Sequence, residues 1–209
     1  MSGGLREFQA LPTTGSAFLV ATRPGGLHYD YDVDSQLIAG FYDLVHNFSD
    51  DLRLIHSLRL EHLNYDYSNN HITGNTRDDG TACGFGGCLY TRPASREDDF
   101  SNVGARLGIE YDLGEVSMVY GTISTGFRPP QITELYRLRG GQTIADLNSE
   151  RLNALEVGFK SSNVTVAAFA EKTRNFILRD SDAFNVSDGR TRSVGVEFAG
   201  NVNVGVHRF

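Results

Sequence analysis

Apolar and polar residues alternate with a period of two along much of this chain, and the pattern is clearest between Asn102 and Asp112. Such a period places successive side chains on opposite faces of a β-strand, whereas a helix would mix the two sets. One face would be apolar and the other polar. The apolar set is Val103, Ala105, Leu107, Ile109 and Tyr111. We therefore expect a strand that separates an apolar medium from a polar one.

The same reasoning predicts further strands on both sides of this segment. Alternation is regular at 52–60, 153–160 and 193–198, and less regular at 36–48, 116–125 and 164–172. A further possible strand covers 16–22. The sequence thus predicts an all-β fold, an antiparallel meander of about seven or eight strands.

The predicted connections alternate between short and long. The short ones are 49–51, 113–114 and 161–163, and the long ones are 67–99, 128–150 and 175–190. Long loops are uncommon in compact soluble domains, whereas outer-membrane β-barrels join their strands by short periplasmic turns and long extracellular loops. Aromatic residues near the strand ends suggest two interfacial girdles. We place Phe48, Tyr111 and Phe159 in one girdle, and Tyr65, Phe100 and Phe127 in the other.

Composition narrows the choice of protein class. The longest apolar runs fall short of the roughly 18 residues of a spanning helix, so a helical membrane protein is excluded while a barrel is not. The net charge of -7 argues against nucleic acid as a partner. A soluble antiparallel sandwich is the alternative fold. It explains neither the sorted loop lengths nor mid-strand charges such as Arg106 and Glu110.

Two small groups of residues could carry chemistry. Cys83 and Cys88 flank a glycine-rich stretch, and we favour a disulfide over two free thiols, which would place the segment in an oxidising compartment. Asp30, Asp32 and Asp34 are spaced like the start of a calcium loop, but the glycine and glutamate positions of that motif do not match. We expect a solvated segment there. We therefore expect no metal site, no cofactor and no catalytic group.

One stretch carries a family resemblance. Gly126, Phe127, Arg128 and Pro129 are followed by Glu134, Leu135 and Tyr136, and this block resembles the signature of TonB-dependent receptor barrels. Glu156 and Gly158 lie in a segment that is similar to a later strand of the same family. Ala145 and Ser149 depart from the family pattern, in which prolines occupy those positions.

The resemblance implies a transport receptor rather than an enzyme. Receptors of this family are barrels of about 22 strands closed by an amino-terminal plug. They bind a ferric siderophore, cobalamin, haem or a glycan at the bacterial outer membrane and import it with energy relayed by TonB. Residues 1–209 would then be a partial barrel domain, with plug and signal peptide absent and TonB contacted through the missing amino-terminal region. The expected partners are outer-membrane lipid and an iron complex or similar nutrient.

The alternative is a small closed barrel of eight strands that acts as a structural or adhesive surface protein. Three local expectations accompany the receptor hypothesis. Pro129 and Pro130 should end a strand beyond a bend at Gly126, and Arg128 should pair with Glu134 in a structural role. Phe209 lies on the wrong face for a barrel insertion signal, so we expect an accidental end there. Strand edges near 16 and 200 should leave the isolated chain as an open sheet or an aggregate.

Overall fold

The computed structural model describes residues 2–9, 15–201, 203–204 and 207–208. Eight strands form one antiparallel sheet. In chain order they are β1 (Ser2–Gln9), β2 (Gly26–Asn47), β3 (Leu52–Asn69), β5 (Arg96–Gly114), β6 (Ser117–Arg128), β8 (Glu150–Ser161), β9 (Val164–Arg179) and β10 (Asn185–Gly200). Their order in the sheet is the same, β1-β2-β3-β5-β6-β8-β9-β10, so each pairs with the strands before and after it in this series. The predicted all-β antiparallel meander is confirmed.

The remaining elements are short. Two small sheets pair β4 (Tyr90–Thr91) with β7 (Leu138–Arg139), and β11 (Asn203–Val204) with β12 (His207–Arg208). The helices are α1 (Ala17–Thr22) and α2 (Ile132–Tyr136). No helix in the described part of the chain is long and apolar enough to cross a membrane.

The large sheet is open. β1 and β10 lie at its two edges, so the described strands do not close into a small barrel. We call the face on which the long loops fold the inner face, and the opposite one the outer face. The registers between neighbouring strands place the regularly spaced apolar residues on the outer face, with Leu54 opposite Ile109 and Leu107 opposite Ile123.

Among the residues that the structure describes, none forms a second layer over the outer face. Leu107 and Ile109 are 45% and 51% exposed, and Val196 on β10 is 72% exposed. A sandwich would bury these side chains against another sheet, so the soluble alternative is wrong. Such an apolar surface is energetically acceptable only when another apolar medium covers it.

The inner face is polar between the short turns and the middle of the sheet. Arg53 donates to Glu110 at 3.1 Å and to Asp112 at 2.7 Å, and the Tyr120 hydroxyl donates to Glu156 at 2.8 Å. The strand β2, next to the edge of the sheet, differs because it also has apolar residues such as Phe41 on its inner face. The irregular alternation of 36–48 has this cause: β2 is apolar on both faces.

Several boundaries differ from the predictions. The segment 16–22 is mostly the helix α1 rather than a strand, because Ser16 caps it by accepting from the Leu19 N–H at 3.3 Å. The eighth strand is instead β1, which the alternation did not reveal. The strands β9 and β10 extend into the predicted loop 175–190, so that loop is shorter than expected, and β2 begins at Gly26 rather than at 36. The turn predicted at 113–114 falls at Glu115 and Val116.

The girdle predicted beside the long loops is also wrong in part. Phe100 is buried at 8% exposure and Tyr65 packs against the same buried cluster, on the inner face under the loops. Both rings have a protein neighbour to pack against, because α2 and its flanking loop cover that end of the sheet. The predictions for Phe209 lie outside the described residues.

Candidate ligand-binding site

The family-like block forms the junction between the sheet and its loops. β6 leaves β5 after Thr125 but remains paired with β8 through Arg128, with Gly126 opposite Leu152. Gly126 therefore continues the ladder instead of bending it. Pro129 and Pro130 follow, and β6 ends there because neither residue can donate a ladder hydrogen bond.

Arg128 joins the junction electrostatically. Its guanidinium donates to Glu150 at 2.7 and 2.9 Å and to Glu134 at 3.1 Å through two nitrogens. Glu150 also accepts from the Ile177 N–H at 2.9 Å. The hydrogen bonds from Arg128 lower the pKa of Glu150, and the same contacts raise the pKa of Arg128. One arginine thus ties α2, β6 and β8 together, and Arg128 and Glu134 meet as the sequence suggested.

The helix α2 carries the buried residues that anchor the loop. Leu135 and Tyr136 are 1% and 0% exposed. The Tyr136 ring stacks on Tyr67 with centroids 4.1 Å apart, and its hydroxyl donates to Asp98 at 2.8 Å. Burial raises the pKa of Tyr136, and the bond to Asp98 adds to the effect. These contacts make the loop a second layer over the ends of β3 and β5.

The other residues singled out in the sequence lie apart from this junction. Glu156 and Gly158 lie in β8, where a Cβ at Gly158 would stand 2.5 Å from the Tyr120 ring, so a larger residue would require that ring to move. Cys83 and Cys88 are joined as a disulfide in an outlying loop. That loop contacts α1 through the Gly84 N–H, which donates to Ala21 O at 3.3 Å. The oxidation state of the two thiols in the cell stays a prediction.

A cavity of about 450 Å³ opens on the inner face beside this junction. Its wall includes Tyr29, which donates to Leu138 O at 3.1 Å, and Arg137, whose guanidinium lies 5.5 Å from the Tyr29 ring centroid. Arg137 also forms an ion pair with Glu7. Burial raises the pKa of Tyr29 to about 12. The cavity is thus bounded by aromatic rings and guanidinium groups.

A histidine closes one side of the cavity. The His28 ring stacks on Tyr90 with centroids 4.1 Å apart, and its Nε2 lies 2.7 Å from Pro24 O. Burial lowers the pKa of His28, so the ring is neutral near pH 7 and donates its proton to that carbonyl. The neutral ring contributes packing rather than charge.

The cavity carries an excess of positive charge. Its wall includes Arg23, Arg139 and Arg179, all exposed. Within the part of the chain that the structure describes, the ion pairs engage Glu7 and Glu134 with other arginines, and none involves these three. Guanidinium groups bind carboxylate, phosphate and other oxyanions in a planar fork. The cavity is therefore suited to an anionic ligand with apolar or aromatic surface.

The residues that build this cavity were not predicted from the sequence. Tyr90 lies in the predicted loop 67–99, and Tyr29 lies just before the segment that was expected to be solvated. Arg92 is 1% exposed and donates to His28 O, Thr76 O and Arg77 O among others. A buried arginine satisfied by carbonyl groups has no local sequence pattern. The only available signal was the density of tyrosines between 29 and 31.

The fold and the cavity define a class of protein. A single antiparallel wall with an apolar outer face, a polar inner face and loops gathered over one end has the architecture of part of a β-barrel. Among the described residues, no three His, Cys, Asp or Glu side chains lie close enough together to hold a metal ion. The chain belongs to the TonB-dependent receptor-like β-barrel family, whose model matches residues 4–208. Members of this family are outer-membrane barrels that act as receptors and transporters, not enzymes.

Solved structures with the same fold come from several bacteria. The ferric-catecholate import receptor Fiu of E. coli K12 is 21% identical, with a TM-score of 0.58 over 86% of this chain and 28% of its own. The ferric yersiniabactin uptake receptor FyuA of Yersinia pestis is 16% identical, with a TM-score of 0.60 over 88% of this chain and 27% of its own. The hemophore receptor HasR of Serratia marcescens is 22% identical, with a TM-score of 0.56 over 90% of this chain and 33% of its own.

These identities show a shared fold and no more. The chain spans about 28% of the length of Fiu, so it corresponds to part of such a receptor. A search of curated proteins finds no match.

Proposed function

We propose that this chain forms part of an outer-membrane receptor that takes up a ferric siderophore or a similar scarce nutrient. The observation that carries the proposal is the cavity of about 450 Å³ on the inner face, with three arginines that no carboxylate neutralises among the described residues. Among the similar structures, Fiu is a ferric-catecholate import receptor, FyuA is a ferric yersiniabactin uptake receptor and HasR is in complex with its hemophore and heme. Interaction with TonB, which is typical of the family, is part of the proposal.

The proposed ligand is an anionic iron chelate. Oxygen donors that surround Fe³⁺ in catecholate and carboxylate chelators leave negative charge on the surface of the complex. Arg139 and Arg179 would bind that charge, and the Tyr29 and Tyr90 rings would contact the apolar part of the chelator. The small closed barrel is not favoured, because the sheet is open.

Binding of ferric chelates by the refolded chain tests the proposal. Equilibrium dialysis with radioactive iron would compare a catecholate, a hydroxamate and a carboxylate complex. We expect at least one to bind, and the double variant Arg139→Gln/Arg179→Gln to weaken it by about tenfold or more, since hydrogen bonds to charged groups are worth about 1.5–3 kcal/mol each. The matched control is Arg106→Gln/Lys160→Gln, which neutralises two exposed cations of the inner face outside the cavity. Equal weakening by both variants, or no binding of any chelate, would contradict the proposal.

A further inference from the structure

The outer face carries a concentrated group of cations where β8, β9 and β10 approach the loops. We call Arg151, Lys172, Arg174, Arg190 and Arg192 the basic patch; all five are exposed. We propose that the basic patch binds the phosphate groups of an anionic membrane lipid. The inference goes beyond nutrient uptake and rests only on the placement of the sheet in a bilayer.

Strand register brings these side chains together. Arg174 lies directly opposite Arg151 on β8 and opposite Arg190 on β10. Lys172 lies opposite Arg192 in the adjacent outer-face row. Like charges placed directly across a strand pair repel each other and destabilise the sheet. Three such oppositions in one small area indicate that an external anion offsets the repulsion.

No carboxylate of the described residues takes that role. The ion pairs among them involve none of the five cations, and Glu171 and Glu197 project from the opposite face because they alternate with Lys172 and Val196. The outer face of β2, β3 and β5 has the reverse composition near its loop end, with Asp34, Asp66 and Asp99 exposed. The positive charge is therefore confined to one sector of the wall rather than spread along its rim.

The surroundings of the patch match a lipid headgroup better than a soluble anion. Lys172 and Arg192 line a hollow of about 430 Å³ together with the apolar residues Leu155 and Ala170; Glu171 also borders it, although its position in β9 alternates with that of Lys172. Val194, directly below Arg192 on the same face, is 68% exposed. A phosphate bound by Lys172 and Arg192 would thus have apolar side chains beside it. These side chains lie toward the short turns, where the acyl chains of the lipid would be.

The height of the patch is also suitable. Lys172 lies eight residues beyond Val164, the first residue of β9 after the short turn. At about 3.3 Å per residue and a tilt of roughly 40°, this distance corresponds to a rise of about 20 Å. The apolar band of such barrels is about 25 Å tall, and Lys and Arg side chains extend several ångströms toward the interface. The cations would therefore reach the headgroups of the leaflet on the loop side.

Native mass spectrometry of the chain in nonionic micelles tests the proposal. Phosphatidic acid, which carries a phosphate monoester, would be titrated against diacylglycerol with the same acyl chains. We expect phosphatidic acid to bind at least about tenfold more tightly. The double variant Lys172→Gln/Arg192→Gln should bind phosphatidic acid about tenfold more weakly than the wild type. The charge-conserving double variant Lys172→Arg/Arg192→Lys should bind it as tightly as the wild type. Arg106→Gln/Lys160→Gln, which removes the same residue types from the inner face, should leave it unchanged.

Four results would overturn the proposal. The first is equal affinity for the two lipids, and the second is equal loss of affinity in the outer-face and inner-face variants. The third is displacement of the lipid by an equimolar amount of inorganic phosphate, which would indicate a site for free anions. The fourth is a dimer of the wild-type chain that dissociates in the outer-face variant, which would assign the patch to a second copy. None of these measurements involves an iron chelate, so the lipid proposal and the uptake proposal can fail separately.

Discussion

The two ends of this sheet differ in what covers them. At the loop end, α2 and the neighbouring loops pack on the inner face, and Tyr67 and Tyr136 are almost fully buried. Toward the short turns the same strands form a single layer, and outer-face residues such as Leu107 remain exposed. Within one strand, β3, the inner-face residue Tyr67 is 1% exposed and the outer-face residue Leu60 is 51% exposed. The described part of the chain supplies an apolar partner for the inner face at the loop end and none for the outer face of the same strands.

The largest effect should come from removing the anchor of the loop end. Tyr136→Ala deletes a fully buried ring and should lower the free energy of unfolding of that end by about 3–5 kcal/mol. Hydrogen exchange of the amides near Tyr67 and Asp98 would measure the change. Ile144→Ala, in the same loop but 55% exposed, is the control and should have little effect. Similar exchange rates in the two variants would mean that the loop is not packed as described.

A charge on the outer face should test the single-layer region. Leu107→Arg places a guanidinium in the apolar band and should cost about 2–4 kcal/mol in a bilayer. Thr122→Arg is the matched control, because Thr122 lies on the inner face opposite Glu156. Urea unfolding from phosphatidylcholine vesicles would compare the two. If the two substitutions cost the same, the difference between the faces would be refuted.

The junction between the two regions depends on Arg128. Arg128→Ala leaves Glu134 and Glu150 without their cation and should destabilise the loop end by about 2 kcal/mol. The value is below that of a buried ion pair because the Arg128 side chain is 37% exposed and therefore partly screened by water. Protection of the Ile177 amide from exchange reports the loss, since Glu150 accepts from that group. Unchanged protection would show that the ion pairs do not hold the junction.

The smallest effect concerns pH. The pKa of His28 is lowered from 6.5 by burial, so the unfolded loop binds a proton more readily than the folded one. The stability of the loop end is therefore complete above about pH 6.5 and falls as the pH drops through the lower folded pKa. The protection factors of amides near Tyr90, which correct for the slower intrinsic exchange at low pH, should fall as the pH drops from 7.5 to 5. In His28→Phe, which keeps a ring beside Tyr90, this fall should be smaller. An equal fall in both proteins would assign the pH effect to other groups.

Most of the wall could be predicted from the sequence, because period-two alternation is a local property. The strand at 102–112 and the turn at 161–163 needed no information from other parts of the chain. The loop end could not be predicted in the same way. Tyr65 and Phe100 have the spacing of an interfacial girdle, and only the folding of α2 over them decides that they belong to a core. The cavity forms where three separate loops meet, and no local sequence pattern shows that these loops are close together.

Alternation also fails where both faces have the same polarity. β2 is apolar on both sides, and β1 carries Gly3 and Gly4 in place of contrasting side chains. The family-like block was recognisable because its prolines and glycine act through the local backbone. The basic patch was not, since Arg151, Lys172 and Arg192 are close only through strand register.

Lipid is proposed to cover one face of the sheet and not the other, and labels along β5 test this most directly. Single cysteines at positions 103 to 111, in a background with Cys83→Ser and Cys88→Ser, would carry spin labels in phosphatidylcholine bilayers. The accessibility of each label to oxygen and to a water-soluble nickel complex would be measured. We predict alternation with a period of two, with the odd positions open to oxygen and the even positions open to nickel. Uniform accessibility along the strand, or the opposite phase, would contradict the account.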